Sequence, residues 1–229
     1  SVGFAVAGVY AVTAEAGNPS FLINDLVGAD MSTDMGRWLF LGFFIAFAVK
    51  APMAGLHTWL PDTAEQATPG TSTLLVGVLD KIGTFGMLKI CLTAFPEATQ
   101  WATPVILVWA IVSVLYGAFM AFGATDLLRL VSYTSISHFG FMVFGIFALT
   151  TPSISGSIFY MLNHGLSTAA LFLVVGFTIR RRGSQHIDAF GGVQKVAPVL
   201  TGVRANGRLD GVLFDLTLRQ TYRNTSDSV

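Results

Sequence analysis

Four side chains able to load and release a proton sit inside long apolar runs of this sequence: Lys50, Lys81, His138 and His164. An amine or an imidazole held away from bulk water is a proton carrier in waiting, and a row of them on neighbouring segments points to proton translocation. Each also has a plainer reading, as a polar side chain that ties two helices together by a hydrogen bond. Lys50 resists that reading most. It lies near the middle of the run 38–60, of a length that matches a bilayer core of about 30 Å. A charge at that depth costs about 2.5–3.5 kcal/mol, so it requires a partner, water or deprotonation. Two residues on, Pro52 removes a backbone donor and crowds the preceding turn, which favours a break whose freed carbonyls solvate a cation.

The other candidates follow the same logic. Asp80 and Lys81 are adjacent, about 100° apart on a helix, so each must find its partner elsewhere. Lys89 lies toward the end of its run and is read as snorkelling to the interface. His138 follows Ser132, Thr134 and Ser135, and His164 precedes Ser167 and Thr168 with Asn163 beside it. That spacing paints a polar stripe on one side of each apolar helix. The two faces offer no carboxylate or thiolate, so they do not read as a metal site.

The elements that position these groups are transmembrane helices. Of the 229 residues 53% are hydrophobic and only 11% charged, against about 25% charged in a soluble domain. Mean hydropathy is +0.66. The fold class is therefore all-α, a polytopic transmembrane helix bundle in the lipid bilayer. A formal net charge of zero argues against a nucleic-acid partner. One cysteine, Cys91, excludes a disulfide framework or a four-cysteine cluster within this chain and is assigned to packing. No phosphate-binding loop, nucleophile elbow or zinc pattern occurs.

In chain order, the sequence enters an apolar half-span at once, read as the end of a helix that starts before Ser1. An acidic loop over 15–37 follows, then the span 38–60 broken at Lys50–Pro52, and a punctuated loop over 61–71. Further spans cover 72–95, 101–124, 130–149 and 156–179, giving about five complete spans and one partial one. Arg129 and the Arg180–Arg182 cluster fall on the same side, assigned as cytoplasmic. Residues 1–200 form this membrane domain. Residues 201–229 are a polar tail, aberrant or disordered, in which Leu209, Val212, Leu213 and Leu216 allow a short amphipathic helix only by a coincidence of spacing.

The segments AFAVKAPMAGLHTWLPD, VLDKIGTFGMLK, YGAFMAFGATDLLRLVSYTSISHFGFMVFGI and MLNHGLSTAALFLVVG, in that order, resemble the antiporter-like subunits of respiratory complex I, the proton-pumping NADH:quinone oxidoreductase, in their subunit M (chain 4) branch. The resemblance covers about 36–200. It implies that Lys50 is the lysine of the first discontinuous helix, Lys81 the lysine linking half-channels, and His138 and His164 the histidines of a central hydrophilic axis. It implies that the chain holds no cofactor, with NAD, FMN, iron–sulfur clusters and quinone bound by partner subunits, and that other membrane subunits of complex I surround it in a bacterial inner membrane. It also implies a glutamate counter-charge for Lys50 upstream of Ser1, a second broken helix soon after Leu200, where this sequence turns polar, and an apolar residue where this chain has Asp80. Residues past Thr201 are accordingly read as out of frame or as the end of a truncated gene. Two alternatives stay open: a subunit of a multisubunit Mrp-type cation/proton antiporter, and a truncated, non-functional product.

Overall fold

The computed structural model describes residues 2–15, 17, 19–27, 31–190, 203–210 and 213–220. The chain divides into two units, Ser1–Gln185 and His186–Val229. The first is a helix bundle. It opens with α1 (Val2–Glu15) and the single turn α2 (Ile23–Leu26). Then α3 (Thr33–Lys50) begins where the Ser32 hydroxyl accepts the Met35 N–H, five residues before the apolar run itself.

The break falls at Ala51–Pro52 as the proline requires, and it is longer than a kink. Helix does not resume until α4 (Trp59–Gln66), so Met53–Thr58 cross their depth as irregular backbone. The expected break is present, and one expectation is corrected: 61–66 is helical, not loop. Pro61 is tolerated there because it stands in the first turn of α4, where its missing N–H would have no intrahelical partner.

The apolar run 72–95 becomes a composite rod. α5 (Pro69–Leu74) passes into a π-helical segment, Leu75–Leu79, then α6 (Lys81–Gly86), a second π segment, Met87–Cys91, and α7 (Leu92–Ala94). Three uninterrupted helices follow. α8 (Pro96–Phe122) starts with a proline at its first position. α9 (Leu127–Phe147) is capped by Asp126 Oδ1, which accepts the Leu128 and Arg129 N–H groups at 2.9 and 3.0 Å. α10 (Thr151–Arg182) starts from a Thr150–Ser153 capping box and stops at Gly183, whose φ of 73° suits glycine. By length and composition these three can each cross a membrane; the other two expected spans are built from pieces.

Phe40, Phe139, Phe147 and Met142 are fully buried at the centre, where Phe44 meets the Phe147 ring edge-on at 5.5 Å. Small residues let the helices approach. A Cβ on Gly117 of α8 would lie 2.5 Å from the Ser137 nitrogen of α9, and one on Gly140 of α9 would lie 2.8 Å from the Ala110 carbonyl oxygen of α8. The outward face is apolar: Phe122 is 94% exposed and Leu166 76%, the reverse of a soluble surface.

The second unit carries a 3₁₀ turn, Ile187–Phe190, and a two-stranded antiparallel hairpin, β1 (Val203–Asp210) with β2 (Leu213–Gln220). Val203 pairs with Gln220 and Asp210 with Leu213. Leu209, Leu213 and Leu216 therefore lie on strands, and Val212 lies outside the described residues. The period is two: Phe214, Leu216 and Leu218 alternate with Asp215, Thr217 and Arg219.

The close contact of α8 and α9 predicts that Gly140→Ala, which must push the two backbones apart, destabilises the protein by about 1–3 kcal/mol. Gly156→Ala, where an added Cβ meets nothing within 4 Å, should be neutral or stabilising. Thermal unfolding of both variants in detergent checks the contrast; equal transitions would contradict the packing described.

Candidate functional site

Lys81 owes its position to the π segment before it. There the Asp80 N–H reaches back to Leu75 O at 3.1 Å, five residues, and bypasses Val76. The Val76 carbonyl instead accepts a hydrogen bond from Lys81 Nζ. The same ammonium lies 2.9 Å from His164 Nδ1 on α10 and 5.0 Å from the centre of the Phe139 ring on α9. An ammonium only donates, so Nδ1 is the acceptor and the ring hydrogen of a neutral His164 sits on Nε2.

Two glycines permit this contact. A Cβ on Gly165 would lie 2.8 Å from Gly77 O and 3.7 Å from Lys81 Cε, and one on Gly77 would lie 3.2 Å from Ala169 Cβ. α10 thus presses against the π segment one residue from His164. His164 is 2% exposed, and its Nε2 has no hydrogen-bond partner among the described residues. The half-buried His138 ring on α9 meets it edge-on, centroids 5.0 Å apart, with Tyr160 at 5.8 Å from His138 and 6.5 Å from His164. The two imidazoles touch without a hydrogen bond between them, so a proton crossing from one to the other needs a ring rotation or a bridging water.

Three of the four sequence candidates therefore meet: Lys81, His164 and His138. Lys50 does not join them by direct contact. It ends α3 on an exposed side of the unit, with Nζ 5.4 Å from the centre of the Trp59 ring, a cation–π contact. Asp80, beside Lys81 in the chain, is fully buried. Lys89 is exposed, and Cys91 is buried in the core, as its assignment to packing expects.

The hydroxyls of the polar stripe donate within their own helices. Ser132 Oγ donates to Leu128 O, and both Thr134 Oγ1 and Ser135 Oγ donate to Val131 O. Ser167 Oγ donates to His164 O at 3.4 Å. These groups are spent on their own helices, the local back-bonding that such residues favour. Arg129, read as a loop charge, belongs to α9 and holds Asp62 at 2.9 Å and Glu65 at 2.6 Å on α4.

Sequence reasoning passed over His57 and Tyr160. His57 is 4% exposed in the break, accepts the Gly55 N–H on Nδ1 at 3.1 Å, and packs 4.8 Å from the Tyr116 ring. Periodicity gives no signal for a residue in irregular backbone. Tyr160 was detectable, since it precedes His164 by one helical turn.

NADH-quinone oxidoreductase subunit M of Mycobacterium tuberculosis is 52% identical over 204 residues, which are 86% of this chain and 37% of that protein. The Escherichia coli subunit M is 38% identical over 174 residues, 76% of this chain and 34% of that one. The chain thus spans little more than a third of the length of these relatives. Respiratory complex I from Thermus thermophilus with bound NADH contains a chain that superposes with a TM-score of 0.78 at 33% identity, over 86% of this chain and 42% of that one. The Mrp complex from Dietzia shares the fold, with a TM-score of 0.68 at 22% identity, over 79% of this chain and 33% of that one. The model of the NADH:quinone oxidoreductase/Mrp antiporter transmembrane family matches residues 3–204, and the chain belongs to that family.

Proposed function

We propose that this chain is the central part of a proton-conducting, antiporter-like subunit of a bacterial proton-pumping NADH:quinone oxidoreductase, resident in the cell membrane among the other membrane subunits of that complex. The observation that carries the reading is the contact of Lys81 Nζ with His164 Nδ1 at 2.9 Å, with His138 against the same ring, between helices that face lipid elsewhere. An amine and two imidazoles in contact form a path on which each group takes and gives one proton. A proton entering from the Lys50 side passes to Lys81, crosses His164 from Nδ1 to Nε2, and leaves by way of His138. The redox step, with its NAD, flavin, iron–sulfur clusters and quinone, belongs in this proposal to partner subunits, and the proton path is driven from there. Subunit M relatives at 52% and 38% identity support the oxidoreductase over a free-standing cation/proton antiporter, to which the likeness is one of fold.

The test uses the full-length subunit in native membrane vesicles. Lys81→Ala and Lys50→Ala should each abolish or strongly cut NADH-driven proton pumping while assembled complex remains on native gels; undiminished pumping per NADH oxidised would remove that residue from the path.

A second prediction concerns the ring that joins lysine to histidine. His164→Phe keeps an aromatic ring in the cavity and removes both nitrogens, so pumping should fall about tenfold or more. His164→Asn, which offers an acceptor and a donor but does not titrate, should not restore it. Restoration by Asn would reduce His164 to a hydrogen-bonding strut.

A further inference from the structure

One buried group has no role in the path just described. Asp80 is 0% exposed, and neither of its carboxylate oxygens has a hydrogen-bond partner among the described residues. It forms no ion pair within 4.0 Å, and it belongs to no cluster of metal-ligating side chains among those residues. Thr84, one turn on, donates its hydroxyl to the Lys81 carbonyl instead. A buried carboxylate left this way has a large desolvation cost and none of the usual compensation, so a structural role does not account for it.

The geometry gives the carboxylate a direction. Gly83 lies three residues after Asp80, on the same side of the helix, and accepts no Cβ because α3 is there: one would lie 2.5 Å from the Ala51 nitrogen and 2.7 Å from Phe47 O. The face that carries Asp80 is thus packed on the last turn of α3, the turn that ends in Lys50. The neighbouring residue, Lys81, reaches the other way, to His164 on α10. The charges of Lys81 and, more weakly, Lys50 both act on Asp80.

We propose that Asp80 is a proton-carrying group between Lys50 and Lys81. Neither lysine lies within 4.0 Å of the carboxylate, so each transfer runs through a side-chain rotation or a bridging water: the Lys50 ammonium gives one N–H proton to the Asp80 carboxylate, leaving a neutral amine and a carboxylic acid. The acid then gives its O–H proton to a neutral Lys81 amine, which becomes the ammonium, and the carboxylate is restored. No electron moves, and one proton enters and leaves. The inference rests on the proton-conducting reading above and supplies the link that the separation of the two lysines leaves open.

Three substitutions in the full-length subunit, assembled in native membranes, test it: Asp80→Asn, Asp80→Glu and Asp80→Leu, with Lys81→Ala as a control for the underlying reading. The readouts are NADH-driven pumping per NADH oxidised, assembled complex on native gels, and the carboxylic-acid C=O stretch in infrared difference spectra. Asp80→Asn and Asp80→Leu should assemble and pump about tenfold less, Asp80→Glu should recover most of the pumping, and the acid band should vanish in Asp80→Asn. Normal pumping in Asp80→Asn or Asp80→Leu, an unchanged acid band, or loss of assembled complex in both would each overturn the inference, the last by making Asp80 structural. If Lys81→Ala pumps normally, the proton-conducting reading fails first. If Lys81→Ala stops pumping and Asp80→Asn does not, Asp80 alone is dismissed.

Discussion

The fold depends on keeping the backbone satisfied where α3 breaks. Pro52 has no N–H to return to Ala48 O, and in a water-poor interior an orphaned carbonyl is expensive. The chain closes the gap locally and from neighbouring helices. Met53 N–H bonds to Ala48 O at 3.1 Å, and the Trp59 indole donates to Val49 O at 2.8 Å. From α8, Ser113 Oγ accepts the Ala54 N–H at 3.1 Å and the Trp109 indole donates to Ala54 O at 2.7 Å. Gly55, at φ 91°, makes the turn that lets His57 accept its N–H. The irregular stretch is thus tied to α8 through both the N–H and the carbonyl of one residue, Ala54. Lys50 is placed by that arrangement, since the last turn of α3 is the turn the break terminates.

The same economy of backbone groups appears in the composite rod. A π segment shifts the hydrogen-bond register by one residue, and the carbonyl it bypasses becomes a ligand for Lys81. Around it, glycines set the distances. Gly83 and Gly86 seat the rod against Phe47 and Ala51 of the α3 end, and Gly77 meets Gly165 of α10. The rod is therefore wedged between the helix that carries Lys50 and the helix that carries His164. Larger residues at those positions would hold the charged groups apart by the width of a side chain, beyond hydrogen-bond reach.

Much of this was legible in the sequence because membrane burial makes polar side chains conspicuous. The break at Pro52, the lone buried Cys91 and the pairing of the apolar runs into helices follow from composition, proline chemistry and run length. The approach of Lys81 to His164 could not be read, since it depends on a register shift with no composition of its own and on two glycines 88 residues apart, Gly77 and Gly165. The partners of the hydroxyls beside His138 were not legible either: spacing gives the face but not the acceptor, and each donates to a carbonyl of its own helix. Arg129, read as a marker of topology, also clamps α9 to α4, a role hidden in the sequence because Asp62 and Glu65 belong to a helix that reads as a loop until Pro61 is recognised as a first-turn residue. In the tail, a leucine spacing compatible with a helix masked the alternation of Phe214, Leu216 and Leu218 that the strand uses.

The contact between Lys81 and His164 couples a charge to a tautomer. While Lys81 is an ammonium, its hydrogen occupies the Nδ1 lone pair and the ring hydrogen must be on Nε2, the nitrogen without a protein partner. In the proposed path, transfer of the proton from Nζ to Nδ1 would make the ring a cation with both nitrogens protonated, and the outlet for the excess proton would be Nε2. The imidazole then holds its hydrogen on Nδ1, facing an uncharged amine that can accept it. Restoring the starting tautomer requires that Nε2 regain a proton and that Nδ1 release its own to the amine. A lysine bonded to one ring nitrogen thus sets which side of the ring is open, so the charge on Lys81 governs the proton at the far edge of His164 without any movement of the helices. That property needs only the 2.9 Å contact and the burial of the ring, and it explains in physical terms why the chain brings two backbones together at Gly77 and Gly165 to secure it.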